Sequence, residues 1–314
     1  MKLSTLTQFG QSIDPTKCRV ESFPKLIAVF GGPTNENPTE LNISKRNVLI
    51  QWLKENNVSL HNHVVTPESY TSWQGQGEYK NLLDFEKDLG HLTASVVIFL
   101  EGPGSFAELG AFSQISSLAP KLLVVIASEH HQNKSFISLG PIRELYAHDN
   151  DSIFEIPSKE TEDLEQDIDL VVERLEQRNN RPTSPEKLNL TSTKHHVLTA
   201  LDLIDLFACL TNEEIRQGLN GLRIEVDLKR VNQLLFLFSE LQLVKSLHFG
   251  GQIFYMPIGI GRYTFLDYGA TSSSRPFNRS RWRVDCFKEI LTHRLRRRVC
   301  EIHFGKEVFQ LWTS

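Results

Sequence analysis

The sequence predicts an α/β protein whose first half is a doubly wound parallel sheet and whose second half is a smaller, largely helical domain. Three observations predict it. Short runs rich in Val, Ile and Leu recur through the first 130 residues and alternate with segments of helical periodicity. The strand candidates are apolar throughout rather than alternating, as in strands covered on both faces. A stretch rich in Asn, Pro, Ser and Thr near residue 185 separates this pattern from one dominated by helices.

Taken in order, "KLIAVFGG" (25–32) reads as a buried strand ending in a glycine loop. "SKRNVLIQWLKENN" (44–57) places Val48, Leu49, Trp52 and Leu53 at helical spacing, with Ser44 as N-cap. "VSLHNHVVTPE" follows as a second strand, and "YKNLLDFEKDLGHLTA" as an amphipathic helix with Leu82, Leu83, Phe85 and Leu89 on its apolar face. "SVVIFL" is the third strand and "KLLVVIA" (121–127) the fourth. Between these two, "EGPGSFAELGAFS" (101–113) makes a glycine turn and starts a helix, expected to run from Glu108 to Leu118 with Glu108 in its first turn. Ligands of such sheets bind beyond the carboxyl ends of the strands. Gly31-Gly32 and the 101–108 loop are therefore expected to converge on one crevice.

Beyond the linker, "HVLTALDLIDLFACL", "TNEEIRQGL" and "DLKRVNQLLFLFSELQLV" read as three helices, the second opened by a Thr211/Glu214 capping box. Two β-rich runs flank Gly250-Gly251 and predict a hairpin. Three helices and a hairpin outline a winged helix-turn-helix. The expected boundaries are 1–176, a linker at 177–193, and 194–314.

The net charge is −4, unevenly spread. Residues 155–176 hold nine acidic and two basic residues, whereas 275–306 hold ten basic and three acidic ones. With Phe277, Trp282 and Phe287 interleaved, the basic end suits phosphate contact and base stacking. Arg279, Arg281, Arg283, Arg294, Arg296, Arg297 and Arg298 are the candidate nucleic-acid or partner contacts. Equally, "RLRRR" could be a solvated helix face or a partner for the acidic stretch. The four cysteines are scattered, which points to reduced thiols and a cytoplasmic setting. No apolar run reaches bilayer length, and no signal sequence is evident.

Gly102 and Gly104 permit close approach of a ligand, Ser105 can cap the following helix, and the helix start favours anions. Glu108 is the candidate catalytic carboxylate, because sugar transfer develops positive charge at the anomeric carbon. An ordinary acid in a first helical turn explains the same residue with about equal weight. Gly31 and Gly32 lack the remaining glycines of a dinucleotide fingerprint and the Lys-Ser/Thr of a P-loop. Tyr70 and Trp73 could stack on a base, or anchor a surface loop. Glu68 and Glu86 are second acids that could face the crevice, or be solvated. No histidine has metal-ligand spacing, so no metal is expected, and Ser105 lacks the context of a serine hydrolase.

"LIAVFGG", "TPESY", "GQGEYKNLLDFE", "VVIFLEGPGSFAELGAFS" and "NKSFISLGPIREL" together resemble the effector proteins of type II-A retrons. The likeness covers about residues 24–157 by motif and 195–268 by architecture. These effectors are similar to a nucleoside 2-deoxyribosyltransferase fused to a winged-helix domain. The resemblance implies a flavodoxin-like, Rossmannoid catalytic domain, and a nucleophile at Glu108 that attacks C1′. It implies an antiphage toxin that cleaves an N-glycosidic bond, with NAD as the expected substrate and no cofactor. The implied partners are a reverse transcriptase and its msDNA, and assembly into a homo-oligomer or larger complex is expected. Glu101-Gly102-Pro103 replaces the Asp-rich approach of the transferases, and no C-terminal asparagine for a neighbouring subunit is evident, which favours hydrolysis over transfer. The competing readings are a salvage deoxyribosyltransferase and a non-catalytic, nucleotide-sensing DNA-binding regulator.

Overall fold

Among the described residues, the apolar runs of the first half assemble into one parallel sheet of five strands. The computed structural model describes residues 2–35, 43–66, 78–115, 118–129, 135–157, 162–272 and 276–306. They form two compact units. One comprises Pro24–Ser72 and Leu82–Pro182, the other Met1–Phe23, Trp73–Asn81 and Thr183–Ser314. The division differs from a single cut near residue 176, because the first 23 residues belong to the unit built mainly from the C-terminal half.

The chain opens with α1 (Ser4–Ser12) and β1 (Arg19–Val20), both in that mainly C-terminal unit. The sheet unit begins with β2 (Leu26–Phe30) and continues with α2 (Lys45–Asn56), the short α3 (Val58–His61), β3 (Val64–Val65), α4 (Leu82–Leu92) and β4 (Thr93–Phe99). Then come α5 (Pro103–Phe112), β5 (Leu122–Ala127), α6 (Phe136–Leu139), α7 (Pro141–His148), β6 (Ile153–Ile156) and α8 (Glu162–Asn179). The strand order is β3-β2-β4-β5-β6, every pair parallel. This is the doubly wound, Rossmann-like α/β class that the sequence predicts. β4 and β5 are buried almost throughout, as their unbroken Val/Ile/Leu content requires.

Ser44 caps α2 as expected, its hydroxyl accepting from the Asn47 amide at 3.0 Å. The second strand is shorter than expected. Asn57 caps the Leu60 amide at 3.1 Å and turns residues 58–61 into a helix; among the described residues Val64 and Val65 pair with β2. The acidic stretch forms α8, which buries Leu164, Ile168, Val171, Val172 and Leu175 against the sheet. Buried Arg178 anchors its end, pairing with Asp149 at 2.9 Å and donating to the Pro120 and Leu122 carbonyls.

In the second unit, β7 (Glu186–Lys187), inside the stretch read as a linker, pairs with β1. It is followed by α9 (Thr193–Phe207), α10 (Asn212–Gly221), α11 (Leu228–Glu240), β8 (Val244–Phe249), β9 (Gln252–Pro257) and β10 (Leu266–Asp267). The unit ends with α12 (Arg279–Thr292) and α13 (Arg294–Phe304). The three helices, the Thr211/Glu214 capping box and the hairpin all occur where expected. Gly250 and Gly251 take φ of 60° and 75°, the left-handed values a two-residue hairpin turn requires. α1 packs on α10 and α12, and its Phe9 meets Phe207, Tyr268 and Trp282 edge-on at 5.0–5.5 Å. The four cysteines are buried and unbridged. Among the described residues no helix is long and apolar enough to cross a bilayer.

Candidate active site

The carboxyl ends of β2 and β4 are neighbours in the sheet, so the loops that follow them meet. They meet on Glu101. Its carboxylate accepts from the amides of Gly32 at 2.7 Å, Lys45 at 2.7 Å and Arg46 at 3.2 Å. Lys45 and Arg46 open α2, so the acid sits on a helix N-terminus, where N–H groups lack intrahelical partners and negative charge is favoured. This explains the glycine pair. A Cβ on Gly31, whose φ is 150°, would lie 2.8 Å from Glu101 Oε1, and one on Gly32 would lie 2.7 Å from the Ser44 Cβ. The two glycines thus make room for protein atoms, where the sequence suggested room for a ligand.

Gly102 caps α5 in extended conformation, and the helix starts at Pro103. The expected start at Glu108 is corrected by this: proline at the first helical position is pre-set for a helix, and the helix ends at Phe112 rather than Leu118. Ser105 is buried. Its hydroxyl donates to the Gly102 carbonyl at 2.8 Å and accepts from the Glu101 and Gly102 amides at 3.3 Å each. It therefore holds the turn closed and is committed to backbone groups. Neither Gly102 nor Gly104 takes a left-handed conformation, and a Cβ on either would meet nothing within 4 Å. Their use is open space at the mouth of α5.

Glu108 lies in the second turn of α5, half-buried, with Oε2 shielded from solvent. Residues i and i+4 of a helix stack on one face, and side chains lean toward the N-terminus. Glu108 and Gly104, four residues apart, therefore share one face of α5. Lys45, Leu100, Glu101, Phe106, Val125, Ala127 and Ile156 line a cavity of about 100 Å³ at the carboxyl edge of the sheet. The clamped loop with Glu101 forms part of this cavity's wall, and α5 contributes Phe106 to it; Glu108 is not among the lining residues.

The remaining candidates divide. Glu86 is 5% exposed on α4, a buried acid rather than a solvated one. Glu68, Tyr70 and Trp73 lie outside the described residues. Three of the seven arginines are committed to buried ion pairs, which corrects their reading as partner contacts. Arg279 binds Asp202 at 2.8 Å and Arg283 binds Asp205 at 2.6 Å, both acids fully buried on α9. Arg296 pairs with buried Glu214 and donates to the Cys209 carbonyl at 2.7 Å. Arg281, Arg294, Arg297 and Arg298 remain at the surface, with Arg297 and Arg298 sharing Glu301. Glu101, Lys45 and Arg46 were not singled out in the sequence. The available signal was an acid ending a strand in the same unit as an isolated glycine pair.

Residues 42–246 match the family model described as STM3845 retron effector protein. Over 90 residues the chain is 36% identical to a retron Ec86 protein of Escherichia coli described as a candidate ribosyltransferase/DNA-binding protein, covering 29% of each chain. Over 85 residues it is 40% identical to the similarly described protein of retron Ec73, also from Escherichia coli, covering 27% of each chain. The matched stretches span under a third of the length of these relatives.

Proposed function

Because the chain belongs to the STM3845 retron effector family, we propose that it cleaves the N-glycosidic bond of a nucleotide, with NAD as the preferred substrate and Glu108 as the nucleophile. One observation carries the reading: a carboxylate on the second turn of α5, shielded from solvent at one oxygen, shares a helix face with Gly104, where a Cβ would meet nothing within 4 Å. The description of the relatives as candidate ribosyltransferases supports the same bond.

In this mechanism the ribose lies over α5 with C1′ toward Glu108. The bond from C1′ to the base breaks, and its electron pair leaves with the base. Positive charge develops on the sugar, and the carboxylate stabilises or captures it. Nicotinamide is already cationic in NAD and departs neutral, so no strong general acid is needed. Water then adds at C1′ and loses a proton, giving ADP-ribose. The amides that hold Glu101 fix the loop between β4 and α5, and Lys45 brings a cation to the cavity.

Read as a retron component, the enzyme is a toxin held inactive by the reverse transcriptase and its msDNA. We read α9–α11 with the β8–β9 hairpin as a winged helix-turn-helix for that association. Exposed Arg281, Arg294, Arg297 and Arg298 are its candidate phosphate contacts. Purified full-length chain incubated with NAD should release nicotinamide, and Glu108→Gln should lower the rate by on the order of 10³-fold while unfolding at the same temperature. Equal rates in the two proteins refute the assignment. Base exchange with an added free purine would instead indicate a transferase.

A further inference from the structure

A second cavity in the sheet unit, about 320 Å³, lies along one face of α2. Asn47, Ile50, Gln51 and Lys54 line it at successive helical turns, and Thr34, Asn35, His61 and Thr66 close it. Its frame is braced: the Asn35 amide donates to Asn47 Oδ1 at 2.9 Å, and Gln51 Nε2 donates to the Asn35 carbonyl at 2.9 Å. These bonds hold the loop after β2 against the helix whose first amides bind Glu101.

The chemistry of the lining is one-sided. Among the described residues it offers an ammonium (Lys54), an imidazole (His61), two hydroxyls (Thr34 and Thr66) and side-chain amides, with one aliphatic side chain and no carboxylate. Burial, and then the charge of Lys54, push His61 below the ordinary histidine range. Two basic groups therefore face one space and repel, an arrangement that a bound anion relieves. Hydroxyl, ammonium and imidazole donors around a roomy polar site suit a tetrahedral oxyanion, and the volume exceeds a single phosphate.

We propose that this cavity is a phosphoryl-binding site, with Lys54 and His61 as its principal contacts and the Thr34 and Thr66 hydroxyls completing the shell. This deepens the reading of the enzyme as acting on a nucleotide, and rests on that reading only for what carries the phosphate. A phosphate held here makes the protein select a nucleotide over the corresponding nucleoside.

The test uses the full chain and two variants, Lys54→Met and His61→Gln, each checked by thermal melting against the parent. Titration with inorganic pyrophosphate, followed by calorimetry, should show saturable binding that weakens at least tenfold in each folded variant. No binding to the parent, or equal binding to parent and variants, overturns the proposal. The second arm compares NAD with nicotinamide riboside, which lacks phosphate. If the substrate supplies the phosphoryl group, Lys54→Met raises the KM for NAD at least tenfold and erases the preference for NAD. Lost pyrophosphate binding with an unaltered preference instead assigns the site to a separate phosphate ligand. A parent protein that binds pyrophosphate and cleaves neither compound retires the glycosidase reading and leaves the site standing.

Discussion

Glu101 receives three backbone N–H groups from two segments, one of them a helix N-terminus. Removing it leaves those donors without their acceptor at a half-buried place. Glu101→Ala should therefore lower the unfolding free energy by about 2–3 kcal/mol, as charged hydrogen bonds do, and Glu101→Gln by less. Urea unfolding followed by circular dichroism measures this, and an unchanged midpoint in Glu101→Ala would show the clamp to be incidental. The glycines give a matched pair. Gly32→Ala drives a methyl to 2.7 Å from Ser44 and should cost about 1–3 kcal/mol. Gly104→Ala meets nothing and should gain about 0.4–1 kcal/mol by stiffening the unfolded chain. Yet its methyl sits one turn below Glu108, so NAD cleavage should fall while stability rises. A Gly104→Ala protein of full activity would show that substrate does not pass that mouth.

Elements with local signals were legible in the sequence. The apolar runs of β2, β4 and β5, the Ser44 cap, the Thr211/Glu214 box and the Gly250-Gly251 hairpin each carry their information within a few residues. Competing local chemistry hid others. The Asn57 cap took residues 58–61 from a strand, and Pro103 at the first helical position moved Glu108 into the second turn. Glu108 could be nominated from the sequence because the proposed chemistry rests on its own carboxylate. The role of Glu101 could not, because its partners lie 55 to 69 residues away in sequence. The tail arginines misled for the same reason: their acids, Asp202 and Asp205, stand inside the apolar run of α9. Asp202 also accepts from the amides of Phe265 and Leu266 and from the Tyr268 hydroxyl. Removing one partner of such a buried pair is expensive, so Asp202→Ala should cost about 3–5 kcal/mol. In a double-mutant cycle, Asp202→Ala with Arg279→Ala should cost less than the sum of the single changes; strict additivity would deny the coupling.

For the molecule as a whole, the first 23 residues are built into the unit made mainly by the last 132. Glu289 on α12 receives the Ser4 and Thr5 amides and the Thr5 hydroxyl at 2.6–2.9 Å. Burial pushes its carboxyl up, but these hydrogen bonds prevail and hold it down at about 2, against an ordinary 4.5. The folded state therefore binds this proton less readily than the unfolded one. The contribution is complete above pH 4.5 and is lost as pH falls toward 2. Unfolding measured between pH 6 and pH 2.5 should show that loss, and Glu289→Gln should flatten it; parallel curves would assign the acid sensitivity elsewhere. A fragment of residues 183–314 lacks Phe9 and Val20, both buried in the intact unit, and should fail to fold cooperatively unless residues 2–23 are supplied.

That interweaving orders events on the ribosome. The opening segment leaves the exit tunnel early, and its docking surface arrives only after the last helices are translated. At about 5–20 residues per second, the wait after residue 182 is several seconds or more. Throughout that interval the sheet unit, with Glu108 on it, has its whole sequence available while its neighbour is still being made.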